Sequence, residues 1–312
     1  MESYVLTVTL NPALDKTIVV EKFNVGGLNR VQSMRIDAGG KGINVARVLK
    51  KFNINVLATG LIAGVQGQLL LEYLEKDGIK NDFLKEHGNT RTNLKIIDKH
   101  SNLVTEINEM GFSVSTEVLN EFKEKYTRLI KQAMFVVISG SLPPGIDNGI
   151  YYELIEIARK EGVKAILDAD GEVLAEGIKA LPFAIKPNIF ELEMLFGKKL
   201  TDDRDIVNAA KSLLDKGIKI VIVSMGADGA IVLDEKEVYR VKSYEIDRKS
   251  ATGAGDSMVA ALVYCLLNGY SLFEIARWTT AAGTITASKP GTEVCSFKEV
   301  QEVLDKIQVE RI

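Results

Sequence analysis

Ser250-Ala251-Thr252-Gly253-Ala254-Gly255-Asp256-Ser257 sets small residues directly before a carboxylate. The next ten residues, Met258-Val259-Ala260-Ala261-Leu262-Val263-Tyr264-Cys265-Leu266-Leu267, are apolar almost throughout. That run is too long for a typical buried strand and reads as a buried helix. The glycines then lie at the helix N-terminus, where unpaired N–H groups and the positive end of the helix dipole favour an anion. Glycine lets backbone approach such an anion closely, and Asp256 falls in the first turn. The same residues also suit a plain turn with an acidic helix start, and alone they leave both readings open.

Outward from this stretch, strand and helix patterns alternate. Residues 4–9 read as a first strand ended by Asn11-Pro12, with Asp15 in the following turn. Helices are expected over 42–51, 66–77, 116–131, 148–161, 204–215, 254–268, 271–288 and near 297–307. Apolar strands are expected over 55–61, 135–138, 165–168, 183–185 and 218–223, with a hairpin at 229–233 and 237–241. This alternation predicts an α/β fold, three layers deep (α/β/α), with a mainly parallel sheet covered on both faces. Ligands in such folds sit beyond the C-terminal strand ends. Residues 16–22, 31–37, 92–97 and 103–107 instead alternate apolar with polar, the pattern of half-exposed antiparallel strands. They predict a small β-sheet lid, inserted at about 16–37 and 91–108 in a single domain spanning 1–312.

Composition narrows the function. The 312 residues carry a formal net charge of −3, which gives no strong attraction to nucleic acid or membrane. With two cysteines and two histidines, a zinc site or disulfide framework is not expected. A reducing cytoplasm fits this cysteine usage. The start, Tyr4-Val5-Leu6-Thr7-Val8, is strand-like and does not read as a signal peptide.

Polar and glycine-rich residues collect at the predicted strand ends. Gly39-Gly40-Lys41-Gly42-Ile43-Asn44 lacks P-loop spacing, yet offers close backbone approach, a charge and an amide, or simply a turn before a helix. Arg91 opens a lid strand; it could clamp a phosphate or carboxylate with its forked donors, or be a solvated strand charge. Ser139 ends an apolar strand. Asn188 and Glu191, after Lys186, have the spacing of a capping arrangement, which is compatible with a metal-linked role. Ser224, Gly226 and Gly229 could line a nucleotide or make the hairpin turn.

Taken together, Asp37-Ala38-Gly39-Gly40-Lys41-Gly42-Ile43-Asn44-Val45-Ala46, Lys186-Pro187-Asn188-Ile189-Phe190-Glu191 and Ala251-Thr252-Gly253-Ala254-Gly255-Asp256-Ser257 resemble the PfkB family of ribokinase-like carbohydrate kinases. Thr9-Leu10-Asn11-Pro12-Ala13-Leu14-Asp15 resembles its phosphosugar branch, and Asn89-Thr90-Arg91-Thr92-Asn93-Leu94-Lys95 with Thr105-Glu106-Ile107-Asn108 its 1-phosphofructokinases. Ala251 departs from the pattern, because many members carry Asp there.

The resemblance implies ATP-dependent phosphorylation of a ketohexose phosphate, fructose 1-phosphate first. Tagatose-6-phosphate or 6-phosphofructokinase activity, or a non-catalytic sugar-phosphate sensor, stand as alternatives. Asp256 would be the base, and the Gly253, Ala254 and Gly255 amides an anion hole. Asp15, Gly39, Gly40 and Asn44 would bind sugar hydroxyls, and Lys41, Arg91, Ser139 and Arg30 the standing phosphate. Lys186, Asn188, Ser224, Gly226 and Gly229 would lie along ATP, with Glu191 supporting Mg2+ through water. A K+ site near 247–252 and 287–291, and a homodimer through the lid, complete the expectation.

Overall fold

The computed structural model describes residues 3–250 and 252–312. The chain lays down β1 (Tyr4–Thr9) and leaves at once for β2 (Ala13–Val20) and β3 (Val31–Gly39). It returns through α1 (Lys41–Lys51), β4 (Val56–Ala63), α2 (Gly64–Lys76) and β5 (Lys80–Glu86). A second excursion makes β6 (Arg91–Asp98) and β7 (Leu103–Asn108). Then follow α3 (Thr116–Ile130), β8 (Ala133–Ser139), α4 (Ile150–Lys160), β9 (Lys164–Asp168), α5 (Gly171–Gly177) and the short β10 (Ala184–Ile185). The last third holds α6 (Ile189–Phe196), α7 (Asp203–Leu214), β11 (Ile220–Ser224), β12 (Ala230–Leu233) and β13 (Val238–Lys242). It closes with α8 (Ala254–Leu267), α9 (Leu272–Ala287), α10 (Phe297–Val303) and β14 (Gln308–Arg311).

Ten strands form the main sheet in the order β14-β13-β12-β11-β10-β9-β8-β1-β4-β5. From β11 to β5 every pairing is parallel, and β12, β13 and β14 add an antiparallel edge. Side chains alternate across it. Val5 of β1 enters one core with α1 and α8, while Leu6 and Val8 enter the other with α3 and α4. Helix α8 is buried from Asp256 through Val263, which explains its nearly uniform apolar sequence. The three-layer α/β/α reading therefore holds.

The second sheet has the order β3-β2-β6-β7. It is mixed rather than antiparallel: β2 pairs with β6 in parallel, because the two excursions leave β1 and β5, strands that run in the same sense on either side of β4. Asp15 lies within β2, not in a turn, paired with Asp37 on one side and Asn93 on the other. Three elements escaped the sequence reading. Edge strands β5 and β14 carry many polar residues and bury little, so neither shows a core pattern. Helix α5 is too short for a periodic signal. The expected last helix stops at Val303 and tightens into a 3-10 turn at Leu304–Lys306.

The packing of α8 yields one stability expectation. Leu262→Ala, at a fully buried position, should cost about 2–5 kcal/mol, read as a lower urea midpoint at unchanged slope.

Candidate active site

The site begins where α8 begins. Gly253 caps the helix in the left-handed region at φ 77°, and no side-chain hydrogen bond caps it among the described residues. Ser257 pins this turn from below: its hydroxyl donates to the Gly253 carbonyl at 2.9 Å and meets Thr286 Oγ1 of α9 at 2.7 Å. Asp256 is buried, and its Oδ2 accepts from Asn44 Nδ2 of α1 at 2.8 Å. Burial, then the Asp168 charge, push the Asp256 carboxyl up to about 6, against the opposing pull of Lys41, Asn44 and Lys186. A carboxyl titrating there is suited to accept a proton near neutral pH.

Beneath Asp256 lies a charge group that the sequence reading missed at its centre. Asp168, the last residue of β9, is 1% exposed. Its Oδ1 lies 3.2 Å from Lys41 Nζ and 3.5 Å from Lys186 Nζ. Burial opposes its ionisation, but the two ammoniums prevail and hold the carboxyl below its usual range. Lys41 also lies 3.9 Å from Glu191 Oε1. Burial alone would lower the Lys41 pKa, yet Asp168, Glu191, Asp256 and Asp170 together raise it well above the ordinary value. Lys186 reaches the glycine turn at the start of α8, since a Cβ added at Gly255 would stand 3.0 Å from its Nζ. Asn188 and Glu191 form a complete capping box on α6, with both bonds at 2.8 Å.

The lid covers the opposite side. Asn93 Nδ2 donates to Asp15 Oδ1 at 3.0 Å, and a Cβ at Gly39 would collide with the Asp15 carboxylate. Arg91 Nη2 donates to the Asn11 carbonyl at 3.1 Å and to Ser141 Oγ at 3.3 Å. Thus Ser141, not Ser139, is the hydroxyl beside Arg91. Ser139 lies buried beneath α1, because Gly140 turns the chain between the two serines. Lys41 likewise sits with Asp168 and Glu191 rather than with Arg91. Arg30 is exposed on the loop between β2 and β3 and makes no bond to this cleft among the described residues.

At the far end, Asn188 bridges Ser224, the last residue of β11, joining the two segments expected along a nucleotide. Gly226 takes φ 60° with open space around it. Gly229 is required by the fold, since a Cβ there would strike the Val241 carbonyl. The departure read at Ala251 lies outside the described residues.

Several buried polar atoms here have no hydrogen-bond partner among the described residues: Asn11 Oδ1, Asn44 Oδ1, Asn93 Oδ1, Ser139 Oγ, Arg91 Nε and Asp168 Oδ2. Folded proteins pair nearly all such atoms, so a cluster of them at strand ends marks a place built for a polar ligand.

This arrangement suits transfer of an anionic group onto a hydroxyl beneath a covering sheet. The chain belongs to the pfkB family of carbohydrate kinases, whose model matches residues 8–299. Among curated relatives it is 37% identical to a 1-phosphofructokinase of Borreliella burgdorferi, covering 99% of each chain. It is 34% identical to a tagatose-6-phosphate kinase of Staphylococcus epidermidis, over 98% of this chain and 99% of that one. Among solved structures it superposes on phosphofructokinase-2 from Escherichia coli in complex with potassium with a TM-score of 0.92, at 30% identity, covering 97% and 98% of the two chains.

The donor set can be tested against Mg2+. No cluster of three acidic, His or Cys residues forms a metal cage among the described residues. Asp168, with its unpartnered Oδ2, and Glu191 are both within 4.0 Å of Lys41 through their other oxygens. Two carboxylates already partly neutralised fit a cation carried on substrate phosphates and supported through water, as proposed for Glu191.

The pH dependence follows from Asp256. A base works as the carboxylate, so kcat/KM should pass through half at about pH 6, be full well above it and fall at lower pH. Asn44→Leu removes a donor that favours the charged form. Its acid limb should therefore move to higher pH, measured by pH–rate profiles of both proteins.

Proposed function

We propose that this carbohydrate kinase phosphorylates fructose 1-phosphate at its 6-hydroxyl, consuming ATP and yielding fructose 1,6-bisphosphate. One observation carries the reading: a buried, proton-accepting carboxyl, Asp256, in the first turn of α8, with Lys186 against Gly255 on one side and the Arg91 lid on the other. Asp256 takes the proton of the attacking hydroxyl. The N–H groups of Gly253, Ala254 and Gly255 receive the oxygens of the transferring phosphoryl group as an anion hole. Asp15, Gly39, Gly40 and Asn44 orient the sugar, so positioning supplies much of the rate.

Arg91 and Ser141 hold the standing phosphate, and Arg30 joins them from a neighbouring subunit. Lys41 and Lys186 bring positive charge towards the nucleotide phosphates, with Asn188, Ser224, Gly226 and Gly229 along the nucleotide. When bound, Mg2+ supplies charge neutralisation on the ATP phosphates, and Glu191 with Asp168 would hold its water shell. A monovalent site for K+ near 247–252 and 287–291 is proposed on the potassium complex of the Escherichia coli relative. Residues 1–312 act as one kinase domain with the lid inserted, in the cytoplasm.

The lid also supports a homodimer. Its edge strands leave Val31, Met34, Leu103, Val104 and Ile107 exposed, an apolar surface at the two margins of one small sheet. Met34→Glu combined with Ile107→Glu should convert a dimer to a monomer in light scattering; unchanged mass would reject the lid interface.

Relatives of two substrate classes leave a second reading, a tagatose-6-phosphate kinase. Mg-ATP with a panel of ketohexose 1- and 6-phosphates separates them, and fastest turnover on any 6-phosphate would overturn the first. Asp256→Asn should lose ~10²-fold or more in kcat while keeping sugar-phosphate binding. Wild-type binding without turnover would instead mark a sensor.

A further inference from the structure

Lys95 occupies the middle of β6 and is 8% exposed, a burial that a lysine rarely takes without partners. Its ammonium donates to the Thr252 hydroxyl, directly before Gly253, and lies 3.3 Å from Glu106 of β7. Thr252 belongs to the body and Lys95 to the lid. Their bond therefore ties the lid to the phosphoryl-transfer loop itself.

Arg91, Asn93 and Lys95 alternate along β6 and share one face. Four strand residues, about 13 Å of backbone, separate the Cα atoms of Arg91 and Lys95. Between them Asn93 holds Asp15, placed to orient sugar hydroxyls. Arg91 reaches Asn11 and Ser141 at one end, while Lys95 reaches Thr252 at the other. The face thus presents a cation, a hydroxyl-binding middle and a second cation. That sequence of groups matches a hexose bearing a phosphate at each end.

We propose that β6 measures a bisphosphate: Arg91 takes the phosphate already on the sugar, and Lys95 meets the phosphoryl group being transferred. The proposal rests on the kinase reading above. In the transfer, the bond from the γ-phosphorus to the ADP oxygen breaks and the bond to the sugar oxygen forms. The hydroxyl proton passes to Asp256, and ADP keeps the electron pair. Lys95 forms no covalent bond. It turns from Thr252 and Glu106 towards the phosphoryl oxygens, adding positive charge where charge is redistributed. Because the sugar monophosphate lacks that group, the contact should leave its affinity unchanged and appear in kcat and in bisphosphate affinity.

The test titrates fructose 1-phosphate and fructose 1,6-bisphosphate into wild type, Lys95→Met and Lys95→Arg by calorimetry, alongside steady-state kinetics. Lys95→Met should lose about tenfold or more in bisphosphate affinity, the size of one charge-assisted hydrogen bond, while monophosphate affinity holds. Its kcat should fall with KM for the sugar phosphate little changed, and Lys95→Arg should recover most of both. Equal loss for the two ligands would make Lys95 a general lid anchor and overturn the proposal, as would no loss. Should Lys95→Met not fold, Glu106→Gln keeps the ammonium and removes only its lid partner; a loss of preference for the bisphosphate there would also overturn it. Absence of wild-type turnover on every ketohexose phosphate would reject the kinase reading separately, and the titrations would still decide Lys95.

Discussion

The site is organised around one buried carboxylate shared by two ammoniums. Asp168 ends a central strand almost wholly buried, and Lys41 and Lys186 approach the same oxygen from different parts of the chain. Removing either partner would leave charge unbalanced in the interior, at a cost of several kcal/mol. The group also fixes its neighbours. Lys41 opens α1, which carries Asn44, and Asn44 holds Asp256. Lys186 stands against Gly255, and the Asp168 charge itself helps keep Asp256 easy to protonate. The glycine turn before α8, the Asp256 carboxyl and the Lys186 segment are thus one electrostatic unit rather than three adjoining features.

Over this unit lies a sheet with two characters. Its inner face carries Asp15, Asn93, Arg91 and Lys95, polar groups with few routes to water. Its margins carry exposed Val31, Met34 and Ile107. Alternation along a strand separates the two sets without any change of backbone. The small sheet consequently turns polar groups towards the Asp256 cleft on one side and offers an apolar surface on the other. Covering the reacting groups also keeps water from competing with the sugar for the phosphoryl group.

Much of this was legible in residue order. Long apolar runs such as Met258–Leu267 and Ile220–Val223 announce helix and strand by length and bounding glycines. The lid was visible because Lys16–Val20 and Thr92–Ile97 alternate where the other strands do not. Polar edge strands β5 and β14 were not, since an edge needs no apolar pattern. Asp168 had a usable signal, a charge ending the buried run Ala165-Ile166-Leu167. Ser141 and Lys95 had none, because nothing local says which of two serines faces Arg91 or that a strand lysine is buried.

By itself the sequence determined the class of fold, the glycine turn that starts a buried helix with Asp256 in its first turn, and the capping pair Asn188 and Glu191. These depend on neighbours within a few residues, where helix and strand periodicity and backbone freedom act. Only the tertiary structure decided which distant groups meet: Asn44 with Asp256, Lys41 and Lys186 with Asp168, and Lys95 with the loop before Gly253. Each of those encounters is set by strand order and by the path of the lid across the sheet. The same folding that buried Asp256 raised its proton affinity, a property that no stretch of eight residues carries alone.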